Sequence, residues 1–227
     1  MNKLKVCLNF WGQPKNIQNL QYIYEKFLHD PQYDFFVLYT TWKSENITSF
    51  KNIFPSSYIN LIDLPSDNDL NYIDIVNNYD LDSSNKGNGR IINNYFLGMY
   101  SKDYTRNTIN CFENNNNIKF DIIVTLRPDI RLFTNISYYY TEIYNTCNTI
   151  FVASEPRYDI YREGAYPDAL CISKRNEMFL LLEFINELKS NTLNNTNVFH
   201  PETTSYKIII NKQLLIKYLN FNAFVYQ

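Results

Sequence analysis

The stretch Asp121-Ile122-Ile123-Val124-Thr125-Leu126-Arg127-Pro128-Asp129-Ile130 decides the fold. Ile122 to Leu126 is apolar and β-branched without polar alternation, the pattern of a strand covered on both faces in the middle of a sheet. It stops abruptly at Arg127-Pro128-Asp129. A strand of this kind needs a layer above and a layer below, so an α/β architecture is expected. Working back from it, Leu4 to Phe10 reads as a first strand that ends at the breakers Gly12-Gln13-Pro14. Ile17, Leu20, Ile23, Tyr24, Phe27 and Leu28 then recur at three and four, which predicts a helix from Asn16 to Leu28. Asp34 to Tyr39 is a second buried strand that runs into Thr40-Thr41-Trp42. The β-α-β order implies parallel pairing.

Working forward, Tyr58 to Leu64 is a third strand, and Pro65 to Arg90 is a long polar loop rich in Asp, Asn, Ser and Gly. A long helix follows from Arg90 to about Asn114. After the central strand come a strand at Thr149 to Ala153 and a Tyr-rich loop holding Glu155, Arg157, Asp159, Arg162 and Glu163. Tyr166-Pro167-Asp168 leads into a strand at Ala169 to Ile172 and a helix from about Lys174 to Leu188. His200-Pro201-Glu202 opens a last helix, with Pro in its first turn and an acid beside it. A strand at Phe221 to Val225 closes the chain. The expected fold is one domain, a three-layer α/β/α arrangement on a mixed, mainly parallel sheet. Its halves divide near residue 135.

Composition narrows the function classes. The chain has 227 residues, 45% hydrophobic and 19% charged, as expected of a globular protein with one sizeable core. Its net charge of -2 leaves no electrostatic footprint for a phosphate backbone, so no nucleic-acid partner is expected. The 20 Tyr and the many Asn accompany only 5 Gly. Codon bias accounts for that pattern, so the aromatic count is no sign of a sugar-stacking surface; the Tyr138-Tyr139-Tyr140 run is expected to be partly packed and Trp42 to pack in the core. Cys7, Cys111, Cys147 and Cys171 lack metal-ligand spacing and read as reduced thiols. No transmembrane segment and a cytoplasmic location are expected.

Several chemistries lack their motifs. No glycine-rich dinucleotide or phosphate loop follows an early strand, no GxSxG elbow occurs, and His29 and His200 are the only histidines. Asp67-Asn68-Asp69 and Asp80-Leu81-Asp82 lie in the polar loop rather than after an apolar strand, so they read as decoys. What remains is polar groups at strand ends: Gly12, Gln13 and Lys15; Thr41 and Trp42; Arg127 and Asp129; Asp168; and His200 with Glu202. In open α/β sheets ligands bind outside the carboxyl ends of the strands.

Five of these segments, in order, resemble an uncharacterised group of GT-A-like glycosyltransferases of polysaccharide and viral glycan gene sets. Gly-Gln-Pro-Lys at 12–15 is similar to their G-Q-x-R/K loop, and Phe36 to Trp42 to their second strand ending in Thr-Trp. Asp121 to Ile130 resembles their YDIIIRxRPDI segment, Pro167-Asp168 sits where they carry an Asp before a short strand, and His200-Pro201-Glu202 matches their HPE. The resemblance implies a nucleotide-sugar donor, a glycan acceptor, and a divalent cation, Mn2+ or Mg2+, held by an Asp-x-Asp motif. Here Arg127-Pro128-Asp129 stands in that place, with a guanidinium where the first carboxylate would be. It implies donor contacts from Gly12, Gln13, Lys15, Arg127 and Asp129, metal contacts from Asp129 and His200, and Asp168 as base, with Glu155, Asp159 and Glu163 in reserve. Asp129 is expected to face solvent at its strand end. A nucleotidyltransferase, or a binding module without turnover, stands as the alternative.

Overall fold

The computed structural model describes residues 3–15, 17, 20, 30–65, 80–81, 89–132, 135–154, 170–183, 198–199, 206 and 208–225. Its elements are β1 (Leu4–Trp11), β2 (Tyr33–Trp42), α1 (Thr48–Ile53), β3 (Tyr58–Ile62), β4 (Asp80–Leu81), α2 (Gly89–Asn116), β5 (Ile122–Leu126), β6 (Ile130–Leu132), a 3-10 turn (Ile136–Tyr139), α3 (Tyr140–Asn145), β7 (Thr149–Ser154), β8 (Leu170–Lys174), α4 (Arg175–Leu181), β9 (Val198–Phe199) and β10 (Leu215–Val225).

One eight-stranded sheet runs in the order β3-β2-β1-β5-β8-β7-β10-β6. β1 pairs in parallel with β2 and β5, and β2 with β3. β8 runs against both β5 and β7, β10 is parallel to β7, and β6 runs against β10. The sheet is therefore mixed and mainly parallel, as expected.

Alternation along β1 separates the two faces. Val6, Leu8 and Phe10 join one buried cluster with Tyr39, Phe50, Phe54, Val124, Tyr140 and Ile143, which α1 and α3 cover. Cys7 joins the other cluster with Leu38, Met99, Ile109, Ile123 and Met178, which α2 and α4 cover. Helices thus close both faces, giving three layers around a strand, β5, that is buried throughout.

The α2 face is polar in its middle. Asn9 Nδ2 donates to Thr105 Oγ1 at 3.3 Å, Thr40 Oγ1 to Thr108 Oγ1 at 2.9 Å, and Asn60 Nδ2 to the same Thr108 oxygen at 2.9 Å. Thr105 and Thr108 in turn donate to the carbonyls of Ser101 and Tyr104. A Cβ at Gly98 would sit 3.6 Å from Trp11, while Phe112 packs on Phe36. Rising helix number therefore meets falling strand number, so the N-terminal half of α2 lies over the carboxyl ends of β1 and β2.

At its other end α2 stops where Asn117 takes φ +49 and the Ile118 amide donates back to the Glu113 carbonyl at 3.0 Å. The Glu113 side chain is fully buried there and ties three elements together. Arg175 at the start of α4 donates to both carboxylate oxygens, the Phe120 amide to one at 2.9 Å, and Lys119 at 3.1 Å. Burial alone would raise its pKa. The hydrogen bonds from Arg175, Phe120 and Lys119 outweigh it and hold the carboxyl below its ordinary value of 4.5.

Several elements depart from the sequence reading. β2 continues through Thr40-Thr41-Trp42 because Trp11↔Thr40 and Trp42↔Ile62 pairings keep it in the sheet. β3 ends at Ile62, before Leu64. α4 ends at Leu181 with Leu182 as its C-cap, and the remainder of the helix expected to Leu188 falls, from residue 184, outside the described residues. β10 begins at Leu215, six residues before the expected Phe221, where it pairs with β7 at Leu215↔Thr149. α1, β6 and α3 had no counterpart in the sequence reading, and Asp80–Leu81 in the polar loop pairs with Val198–Phe199. The first expected helix, at 16–28, falls mostly outside the described residues; Ile17 and Leu20 are buried. None of the four cysteines is in a disulfide; Cys7 and Cys171 are buried and Cys111 and Cys147 exposed.

Glu113→Gln should lower unfolding stability by about 2 kcal/mol at pH 7, the scale for breaking a paired, largely buried carboxylate. Because the folded pKa is depressed, this stabilisation is present above the unfolded value and is lost as pH falls through the folded one. In urea titrations the gap between wild type and Glu113→Gln should therefore close with acidification; a gap that widens would contradict the assignment.

Candidate functional site

Strand register gathers the candidate residues. Phe10 pairs with Leu126 and Trp11 with Thr40, so the tips of β1, β2 and β5 lie side by side at the carboxyl edge. Gly12–Lys15, Thr41–Trp42 and Arg127–Asp129, far apart in sequence, exit at that edge. β8 enters at the same edge, because Leu170 is opposite Leu126. β7 runs parallel to β5 and ends at Ser154, so the connection from 155 to 169 joins two strand ends there. Asp168, Glu155, Asp159 and Glu163 belong to that connection and lie outside the described residues, as do His200 and Glu202. β9 ends at Phe199, immediately before His200.

Gly12 turns the chain out of β1 with φ +87, in the left-handed half of backbone space where glycine is favoured. Its amide donates to the Thr40 carbonyl at 3.2 Å, and its own carbonyl accepts from the Tyr39 hydroxyl at 3.0 Å. Beyond it Gln13 and Lys15 are exposed. Tyr39 is a residue the sequence reading passed over as strand core. Burial pushes its hydroxyl pKa well up, and the negative charges of Glu45 and Asp129 add to that. It stays a neutral donor, fastened to the Gly12 loop and within the electrostatic reach of Asp129.

The turn after β5 holds the most definite arrangement. The Ile130 amide donates to the Arg127 carbonyl at 3.3 Å, closing a β-turn over Pro128 and Asp129. Proline at the second position of such a turn arrives with its φ already set. The turn brings the side chains of Arg127 and Asp129 into a two-point pair: Nε to Oδ1 at 2.9 Å and Nη2 to Oδ2 at 2.5 Å. The Arg127 side chain is 36% exposed, whereas that of Asp129 is 7% exposed. The expectation of a solvent-facing Asp129 is therefore corrected: the turn folds the carboxylate inward and leaves the guanidinium on the outside.

A divalent cation prefers several oxygen ligands with free lone pairs. Both Asp129 oxygens already accept from Arg127. Among the described residues no group of three His, Cys, Asp or Glu converges anywhere. Among the described residues the turn therefore offers a cation a single carboxylate, already hydrogen-bonded to Arg127.

Further groups at this edge went unread. Lys102, 4% exposed, places its ammonium 4.5 Å from the centre of the Trp11 ring. The spacing of Gly98, Lys102 and Thr105 on α2 was the only available signal, and it becomes visible only once β1 is laid beneath the helix. Asn9 Oδ1, Trp11 Nε1 and Ser101 Oγ are buried along this seam with no protein partner among the described residues. Such atoms are ordinarily satisfied by ordered water or a ligand. Trp42 is buried and stacks on Tyr100, as expected of a core residue. Tyr138 is exposed while Tyr140 is fully buried, so the Tyr run is partly packed.

No protein-family model and no curated protein sequence matches the chain. Among solved structures it is similar to 4-diphosphocytidyl-2C-methyl-D-erythritol synthase, with a TM-score of 0.52 and 8% identity over 98% of this chain and 90% of that one. It is also similar to the apo form of mouse xyloside xylosyltransferase 1, with a TM-score of 0.48 and 11% identity over 96% of this chain and 85% of that one. The likeness to the synthase concerns the fold alone, a mixed, mainly parallel α/β sheet. No described helix is long and apolar enough to cross a membrane.

Gly12→Ala should cost about 1 kcal/mol through backbone conformation alone, because a Cβ there meets no atom within 4 Å. Gly12→Asn should cost less, since Asn tolerates the left-handed region. Equal losses for both in denaturant titrations would mean that something other than φ limits this position.

Proposed function

We propose that this chain is a glycosyltransferase that binds a nucleotide-sugar at the carboxyl edge of β1, β2 and β5 and passes the sugar to a hydroxyl of a glycan acceptor. The observation that carries the reading is the convergence at that edge of the Gly12–Lys15 loop, the Thr41–Trp42 strand end and the Arg127–Asp129 turn. These are three of the five segments that resemble the GT-A-like enzymes, and nothing in their sequence separation requires them to meet.

The chemistry asks for two things. The bond from the sugar's anomeric carbon to the diphosphate breaks, and the departing oxygen keeps the electron pair, so its charge needs stabilising. Arg127 and Lys15 are the basic residues assigned to it, with the backbone of Gly12 and Gln13 lining the approach. The acceptor hydroxyl forms the new bond to that carbon and loses its proton. In an inverting enzyme Asp168 takes it, with Glu155, Asp159 and Glu163 as the other carboxylates on the connection into β8. A retaining enzyme would not need that base. His200 is assigned to the donor side. The site sits in an enzyme with the donor on the first half of the chain and the acceptor over the second.

Thermal denaturation against UDP, GDP, CDP and ADP and their sugar conjugates tests the reading. A ligand present at 100 times its Kd raises stability by about 2.7 kcal/mol, and one nucleotide family should do so. Release of nucleoside diphosphate from the conjugate identifies glycosyl transfer, whereas release of pyrophosphate from a nucleoside triphosphate would mark nucleotidyl transfer instead. Binding without any release over hours would leave a binding module. Asp168→Asn should preserve donor affinity while lowering kcat by about 10^2-fold or more; unchanged kcat removes Asp168 from the mechanism.

A further inference from the structure

The amino edge of the sheet, opposite the candidate site, holds two reactive groups in contact. Cys147 stands just before β7, and Lys174 is both the last residue of β8 and the N-cap of α4. Lys174 Nζ donates to Cys147 Sγ at 3.1 Å, and the contact is open to solvent. We propose that Cys147 and Lys174 form a redox modification site: a peroxide joins the sulfur to the nitrogen covalently, and a thiol reductant parts them again.

Three observations carry it. First, the strand register brings the two residues together. β7 and β8 pair at Phe151↔Ile172 and Val152↔Cys171, and in that register Lys174 stands opposite Thr149, two residues from Cys147. Diagonal neighbours across an antiparallel pair are within reach of a long side chain. Second, both backbones are pinned. The Asn148 carbonyl accepts from the Leu215 amide at 2.7 Å, and Thr149 Oγ1 donates to the Cys147 carbonyl at 2.9 Å. Lys174 pairs with Ile122 at the start of β5. Third, the corner holds an unmet acceptor. The Asn148 amide donates to Glu177 Oε1 at 3.0 Å, which ties the first turn of α4 to the Cys147 side, while Glu177 Oε2 is buried with no protein partner. An acceptor of that kind is satisfied by the O–H of a water or of a peroxide.

The chemistry balances with one peroxide. The sulfur attacks a peroxide oxygen, the O–O bond breaks, and the thiol becomes a sulfenic acid with release of water. The Lys174 nitrogen, as the free amine after losing its proton to solvent, then attacks that sulfur. The S–O bond breaks, the oxygen leaves as a second water with a proton from the amine, and an S–N bond remains. Thiol, amine and one hydrogen peroxide thus give the cross-link and two waters. The bond closes a ring from 147 to 174, which contains the connection that carries Asp168 and so limits chain freedom there.

Peptide mapping by mass spectrometry after treatment of the folded protein with dilute hydrogen peroxide tests the proposal. Cys111, also exposed, is the internal control. The expected result is one joined species holding Cys147 and Lys174, about 2 Da lighter than its two reduced peptides together, which dithiothreitol separates. Cys111 should instead gain oxygen or enter disulfides. Lys174→Arg and Cys147→Ser should each abolish the joined species, as should peroxide treatment in urea, where the register is lost. Separate peptides with oxygen on Cys147, a disulfide from Cys147, or an unreacted Cys147 where Cys111 has oxidised would each overturn the proposal. A joined species that persists in Lys174→Arg would overturn it too. The wild-type map decides without any variant, and since the pair lies away from the donor edge, neither result bears on the transferase reading.

Discussion

The structure depends on the burial of β5 on both faces. All five of its side chains are buried, between β1 in parallel on one side and β8 in antiparallel on the other. A strand in that position tolerates no unpaired polar group. The chain's charge therefore appears only where the strand ends, and it appears at once, at Arg127. The same constraint needs a helical layer on each side, and it sets the partner of each face: Ile123 with the α2 and α4 cluster, Val124 with the α1 and α3 cluster. Fold and site are in this sense consequences of one stretch of ten residues.

How much of this is readable without coordinates follows from locality. β1, β2, β5, β7 and β8 show themselves because each is an apolar run whose own side chains fill the core. α2 shows itself by its period, even though its face towards the sheet is built from Thr105, Thr108 and Ser101 rather than from leucines. Elements held by distant partners do not announce themselves. β6 is three residues long and exists because β10 is there to pair with it. Leu215 to Leu219 carries Lys217 and an exposed Tyr218 and reads as surface, yet β7 draws it into the sheet. α4 is capped at Leu182, an event that periodicity has no way to register.

The candidate site divides the same way. Which residues stand at strand ends can be read in order along the chain, and the parallel register then brings Gly12, Thr41 and Arg127 together. What each does there depends on short-range geometry that residue type alone does not encode. Arg-Pro-Asp reads equally well as a ligand pair or as an ion pair. The closure of the turn, seen in the Ile130 amide bond, makes it an ion pair with an outward guanidinium. Tyr39 and Lys102 were hidden for a different reason: each lies in the middle of an element and is brought to the edge only by what packs on it.

Charge balance at this edge follows from the pairing. A guanidinium matched by a buried carboxylate contributes direction more than net charge, because the two nearly cancel beyond a few ångströms. A divalent cation contributes the opposite, strong charge with little preference in direction. A diphosphate placed at this edge, as proposed, would need further positive charge, and described basic groups near the tip of β1 are Lys15, exposed on the loop, and Lys102, buried over Trp11. One lies on the loop that leaves β1 at a positive-φ glycine and the other on α2, so the two ammonium groups reach this edge from different elements.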